Sequence, residues 1–116
     1  MTRIQISLGD VVVTAKLNDS KTAALVERAL PFESKAQLWG DEVYFAIPVE
    51  ADEENAQAEV PSGTVAYWPL GKALCLFFGQ KPYSPVNVVG QLEDDPRALT
   101  KVKDGEAVRV EPVRVE

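Results

Sequence analysis

The chain lacks histidine altogether, carries a single cysteine and has no long apolar run. Without histidine the Ser-His-Asp and Cys-His arrangements of nucleophilic catalysis are excluded, and the commonest transition-metal ligand is missing. A zinc site would have to be built from carboxylates, so neither metal nor cofactor is expected. One cysteine cannot form an intramolecular disulfide and fits a reducing compartment, which makes a cytoplasmic location the expectation. Cys75 stands inside Ala-Leu-Cys-Leu-Phe-Phe and reads as a small core residue, because a reactive thiolate needs a neighbouring base or a positive field. The first residues hold no apolar h-region, and no window approaches the ~18 apolar residues of a membrane span. Neither signal peptide nor span is expected. Positive charge is also in deficit: 12 Lys and Arg stand against 18 Asp and Glu, a net charge of −6. That field repels phosphate backbones and anionic lipid, so nucleic acid and membrane are not expected as partners. The glycines at 63, 71, 79, 90 and 105 sit at turns and strand ends, and none forms a phosphate-binding loop.

What is present is an ordinary globular mixture over 116 residues, 46% apolar and 26% charged, which fits one domain spanning 1–116. Eight prolines and seven glycines are spread along it, so the elements are short and the turns many. Arg3–Leu8 alternates apolar and polar residues with the period of a half-buried strand, and Gly9-Asp10 turns it into Val11–Leu17. Asn18-Asp19-Ser20 offers N-cap side chains to a helix over Lys21–Leu30, which Pro31 ends. Ser34–Trp39 and Glu42–Val49 read as a strand pair about Gly40-Asp41. The acidic stretch Ala51–Glu59 reads as a solvated loop or short helical turn, since Asp52–Glu54 lacks the spacing of a calcium loop. Thr64–Trp68 and Ala73–Phe78 flank a Pro69–Lys72 turn. Gln80–Pro85 is a loop, Val86–Leu92 a strand, Pro96 the first residue of a short helix, and Glu106–Val115 the last strand. About eight strands and two helices in this order predict an antiparallel sheet, closed as a barrel or folded as a sandwich.

Eight of the nine aromatics fall on or beside these strands: Trp39, Tyr44, Phe45, Tyr67, Trp68, Phe77, Phe78 and Tyr83. Within each adjacent pair one ring must point into the core and the other outward. An outward ring serves either a recognition surface or a second apolar layer beneath a loop or helix.

Gly63-Thr-Val-Ala-Tyr-Trp-Pro-Leu-Gly-Lys-Ala-Leu-Cys-Leu-Phe-Phe-Gly79, followed by Pro85-Val-Asn-Val-Val-Gly90, resembles the small prokaryotic proteins with a cyclophilin-like fold, most of uncharacterised function. The resemblance implies a mainly β fold: a closed eight-stranded antiparallel barrel capped by two short helices. A more distant similarity extends to the cyclophilin peptidyl-prolyl isomerases. Cys75-Leu-Phe-Phe resembles their Gln-Phe-Phe region, and Val86-Asn-Val-Val-Gly-Gln their His-Val-Val-Phe-Gly-Lys strand. Their catalytic arginine lies in Phe-His-Arg-Ile-Ile-Pro. Setting that proline on Pro48 puts Phe45 in the arginine's place and Tyr44 in the histidine's. Phenylalanine cannot donate the hydrogen bond that stabilises a twisted amide. The same alignment implies a ligand-binding groove lined by Phe45, Trp68, Phe78 and Asn87. The resulting expectation is a non-catalytic module that holds a peptide, a protein partner or a small apolar ligand. A weak or divergent prolyl isomerase is the alternative.

Overall fold

A computed structural model describes residues 2–79, 82 and 84–113. Tyr83, part of the Gln80–Pro85 loop, and Arg114 and Val115 of the expected last strand lie outside the described residues. The elements follow in the order β1 (Arg3–Leu8), β2 (Val11–Leu17), α1 (Lys21–Ala29), β3 (Phe32–Lys35), β4 (Gln37–Trp39), β5 (Glu42–Ala46), β6 (Thr64–Trp68), β7 (Ala73–Phe77), β8 (Asn87–Leu92), a 3₁₀ helix (Pro96–Lys101) and β9 (Ala107–Pro112). Every pairing is antiparallel. The strands form one sheet in the order β3-β9-β1-β2-β8-β6-β7-β5-β4.

Local sequence explains most of these elements. Ile4, Ile6 and Leu8 alternate inward from β1 with no exposed surface, as their spacing predicts. The Ser20 hydroxyl accepts from the Ala23 N–H and caps α1, whose buried residues are Thr22, Ala23 and Val26. Asp95 caps the 3₁₀ helix by accepting from the Arg97 N–H, with proline at its start. The two helices pack against β8 and β2 respectively, and Val26 and Leu99 add to the same interior cluster.

Among the described residues the strand count is nine rather than the expected eight. The segment predicted as one strand, Ser34–Trp39, begins earlier and breaks in two at Ala36. The physical reason is a change of partner: β3 pairs with β9, whereas β4 pairs with β5. At the corner the Ala36 N–H donates to the Glu106 carbonyl, and the Gly105 N–H donates to the Ala36 carbonyl. The two terminal strands of the sheet are therefore consecutive in the chain, and the sheet closes on itself as a nearly complete barrel.

Inside the barrel Phe45, Tyr67, Leu74 and Leu76 join the β1 side chains in the main core. The Tyr67 hydroxyl donates to the Val49 carbonyl at 2.7 Å, so its polar end is satisfied where burial would otherwise penalise it. Burial also holds the Tyr67 phenol above its ordinary range.

Candidate functional site

The register of three neighbouring strands builds a second apolar layer on the outside of the barrel wall. Glu42 and Tyr44 of β5 lie opposite Phe77 and Cys75 of β7, and Cys75 also lies opposite Ala66 of β6. Because strand side chains alternate, these residues share one face, and Phe45, Tyr67, Leu74 and Leu76 occupy the other. Ala66, Cys75, Phe77 and Val86 form a buried cluster separate from the interior core, with Tyr44, Val60 and Trp68 packed against it.

This layer is not closed over. A cavity of about 200 Å³ opens between Trp39, Glu42, Tyr44, Trp68, Cys75, Phe77, Pro82, Ser84 and Val86. Its aromatic walls are fixed in place. The Tyr44 and Trp68 rings meet edge to face, with centroids 6.3 Å apart and planes at 89°, a favoured arrangement for their quadrupoles. The Trp68 indole N–H donates to the Ser84 hydroxyl at 2.6 Å, which ties the β6 ring to the loop across the cavity. Gly71 lets the turn approach the ring closely, since an added Cβ there would collide with the Trp68 six-membered ring. Trp39 stands at the mouth, 45% exposed.

Glu42 is a charged residue in an apolar layer, yet only 5% exposed. Its carboxylate accepts a hydrogen bond from the Cys75 thiol. Burial pushes the Cys75 thiol well above its ordinary range, and the negative charge and hydrogen bond of Glu42 push it in the same direction. The cysteine is thus a protonated packing residue, as its apolar sequence context predicts. Together the walls can enclose a small guest against a carboxylate.

Of the four residues aligned to a groove, one lines this cavity. Trp68 does so through its ring. Phe45 is wholly buried in the barrel interior, where Tyr44 takes the outward place beside it. Phe78 lies past the end of β7 and packs against the interior core; Phe77 is the ring on the cavity side. Asn87 is 1% exposed, and its side chain is engaged by the protein itself. It accepts from the Glu54 N–H and donates to the Asp52 carbonyl and the Thr22 hydroxyl, at 2.8, 2.8 and 3.1 Å. It ties the 52–54 segment and α1 to β8.

The same network corrects the reading of Asp52–Glu54 as a merely solvated loop. Asp52 and Glu53 are exposed, but the Glu54 carboxylate accepts from the Lys21 and Thr22 N–H groups and the Thr22 hydroxyl. These donors, the backbone bond from Lys21 foremost, hold the Glu54 carboxyl below its ordinary range. Glu42, Tyr44 and Phe77 were not singled out by sequence as site residues. The signal that reaches them is the period of two, counted back from Trp68 through the cross-strand neighbours Ala66 and Cys75.

Among the described residues no group of three or more His, Cys, Asp or Glu side chains is placed to hold a metal ion. No helix among them is long and apolar enough to cross a membrane.

No curated protein sequence matches the chain. Solved structures do. The solution structure of the hypothetical protein AF2241 from Archaeoglobus fulgidus is 37% identical, with a TM-score of 0.84, over 97% of this chain and 95% of that one. The structure of McbB in complex with tryptophan superposes with a TM-score of 0.73 at 24% identity. It is matched over 97% of this chain but only 46% of McbB, and that likeness is one of fold. The family model described as cyclophilin-like matches residues 2–111. The chain belongs to the cyclophilin-like family.

Proposed function

We propose that this cyclophilin-like protein is a non-catalytic binding module whose ligand is a small molecule held in the cavity on the outer barrel wall. The observation that carries this reading is the half-open cavity of about 200 Å³ walled by Tyr44, Trp68 and Phe77. Such a volume is below the ~300–1,000 Å³ of cavities for drug-sized ligands. It suits a compact guest better than an extended peptide. The fold is compatible with such a role, since McbB, which shares it, has been solved with tryptophan bound. Isomerase chemistry has less support. Phe45, at the aligned arginine position, is enclosed by the barrel and offers no donor to a substrate amide.

The test is a titration with a library of small aromatic and aliphatic fragments, read by amide and indole N–H chemical shifts. Binding in the cavity is expected to move the Trp68 indole resonance and the Tyr44 and Cys75 amides. A library that moves none of them, or proline-peptide isomerisation at cyclophilin-like rates, would overturn the proposal.

A further inference from the structure

The outer-wall cavity holds a hydroxyl whose own proton is uncommitted. From it we infer that the ligand is a compact neutral molecule with a hydrogen-bond acceptor beside a planar ring, in chemical class an aryl ketone, aldehyde or ester. This rests on the binding reading above and adds the ligand's polar group and its place. A serine hydroxyl has one proton to donate and lone pairs with which to accept. At Ser84, which lines the cavity, the oxygen accepts the Trp68 indole N–H at 2.6 Å. Among the described residues nothing accepts the Ser84 proton. Hydroxyls at two other surface depressions differ. Thr22 donates to the Glu54 carboxylate and Tyr67 to the Val49 carbonyl, so their protons are already placed.

The indole bond favours an acceptor. A donor bonded into the serine oxygen polarises its O–H and strengthens the next bond in the chain, which runs from indole to hydroxyl to guest. A guest offering a second donor would compete with the indole for the same oxygen and leave the proton unused. An anionic acceptor would enter an apolar space on a protein of net charge −6, where losing its hydration is costly. The rest of the wall suits a ring. Tyr44, Phe77, Pro82 and Val86 line the space, and planar guests gain from aromatic faces and edges. A volume near 200 Å³ equals about seven waters at ~30 Å³ each, room for a single ring with a short substituent. The strand register sets this end of the cavity apart from Glu42. Trp68 lies opposite Ala73 and Glu42 opposite Phe77, a separation along β7 of ~13 Å at ~3.3 Å per residue. The guest's acceptor is met at the Trp68 end, whichever protonation state Glu42 adopts.

Acetophenone, α-methylstyrene and benzoate share nearly one planar shape; the second lacks the acceptor and the third makes it an anion. Each is titrated against the intact chain and read by the Tyr44 and Cys75 amide resonances. The measured quantity is the affinity of the ketone relative to the alkene within one variant, which does not depend on equal stability. Ser84→Ala is expected to lower that ratio about tenfold, and Ser84→Thr, which keeps a hydroxyl, to hold it within about twofold of wild type. Benzoate should bind wild type more weakly than acetophenone. A ratio unchanged in Ser84→Ala, a fall as large in Ser84→Thr, or wild-type binding of the alkene without the ketone would show that the hydroxyl takes no acceptor. Tighter binding of benzoate than of acetophenone would show that the guest is not neutral. The cavity reading survives each of these results. If none of the probes moves either amide, the acceptor assignment is overturned, and the fragment titration above decides the cavity reading separately.

Discussion

Two side chains near the start of β8 and α1 carry more of the structure than their polarity implies. Asn87 uses both ends of its amide to join β8, the 52–54 segment and α1. Truncating it to alanine strands the Glu54 N–H and the Asp52 carbonyl. Asn87→Ala is expected to lower unfolding stability by about 2–3 kcal/mol, measured by urea titration. A loss below half a kcal/mol would show that water replaces the amide without cost. Glu54 acts through charge at the first turn of α1, where N–H groups and the helix dipole favour an anion. Its carboxyl is held below the ordinary value of 4.5. Its contribution is therefore complete above the unfolded pKa and is lost as pH falls through the lower folded value. Arg97 likewise lowers Asp95 to about 2, and Arg3 lowers Glu93, so acid weakens the fold through several exposed carboxylates. Glu54→Gln should flatten the fall in urea midpoint between pH 6 and pH 3, leaving the part due to Asp95 and Glu93. A fall as steep as in wild type would refute the role of Glu54. The Glu54 and Asn87 network was not legible in sequence, because Asp52–Glu54 has the composition of a solvated loop and its partners lie some 30 residues distant.

At the scale of elements, the strands with clean alternation or strong turn residues were legible. β1, β2 and β6 have the bounds their patterns predict, and α1 stops one residue short of its own. The break at Ala36 was not, because a strand that rounds a barrel corner keeps its β character on both sides of the bend. The phase of Phe77-Phe78 was not legible either. Two adjacent rings satisfy either phase equally, and only pairing with β5 and β6 decides which ring faces out. This is why sequence placed Trp68 at the site but gave it Phe78 and Phe45 as neighbours in place of Phe77 and Tyr44. Glu42, beside a Gly-Asp turn, reads as a strand-end charge rather than a buried one. Gly90 marks a further constraint invisible in the pattern. β2 passes so close that an added Cβ would strike the Lys16 carbonyl oxygen. Gly90→Ala is therefore expected to destabilise by about 3 kcal/mol, the upper part of the range for overpacking. Its thermal midpoint should fall well below that of wild type, and an unchanged midpoint would mean that β2 can move aside freely.

The whole molecule is a ring of strands with two unrelated apolar layers, one inside the wall and one outside it. Stability and proposed binding are thereby separated. The inner layer can be optimised for packing while the outer one keeps its cavity, the two sharing only the backbone of β5, β6 and β7. The covalent continuity of the ring passes through one residue at its seam. β3 and β4 are its two ends, Ala36 is the one residue between them in the chain, and the Leu38 N–H of β4 adds a hydrogen bond to the Asp104 carboxylate just before β9. Cutting the chain there would turn the ring into a ribbon whose two terminal strands are no longer held together by the chain. Unpaired strand edges are templates for further strands. A chain nicked at this corner would be prone to add neighbours at its edges, so that an intact peptide bond at one alanine guards the protein against assembling with its own copies.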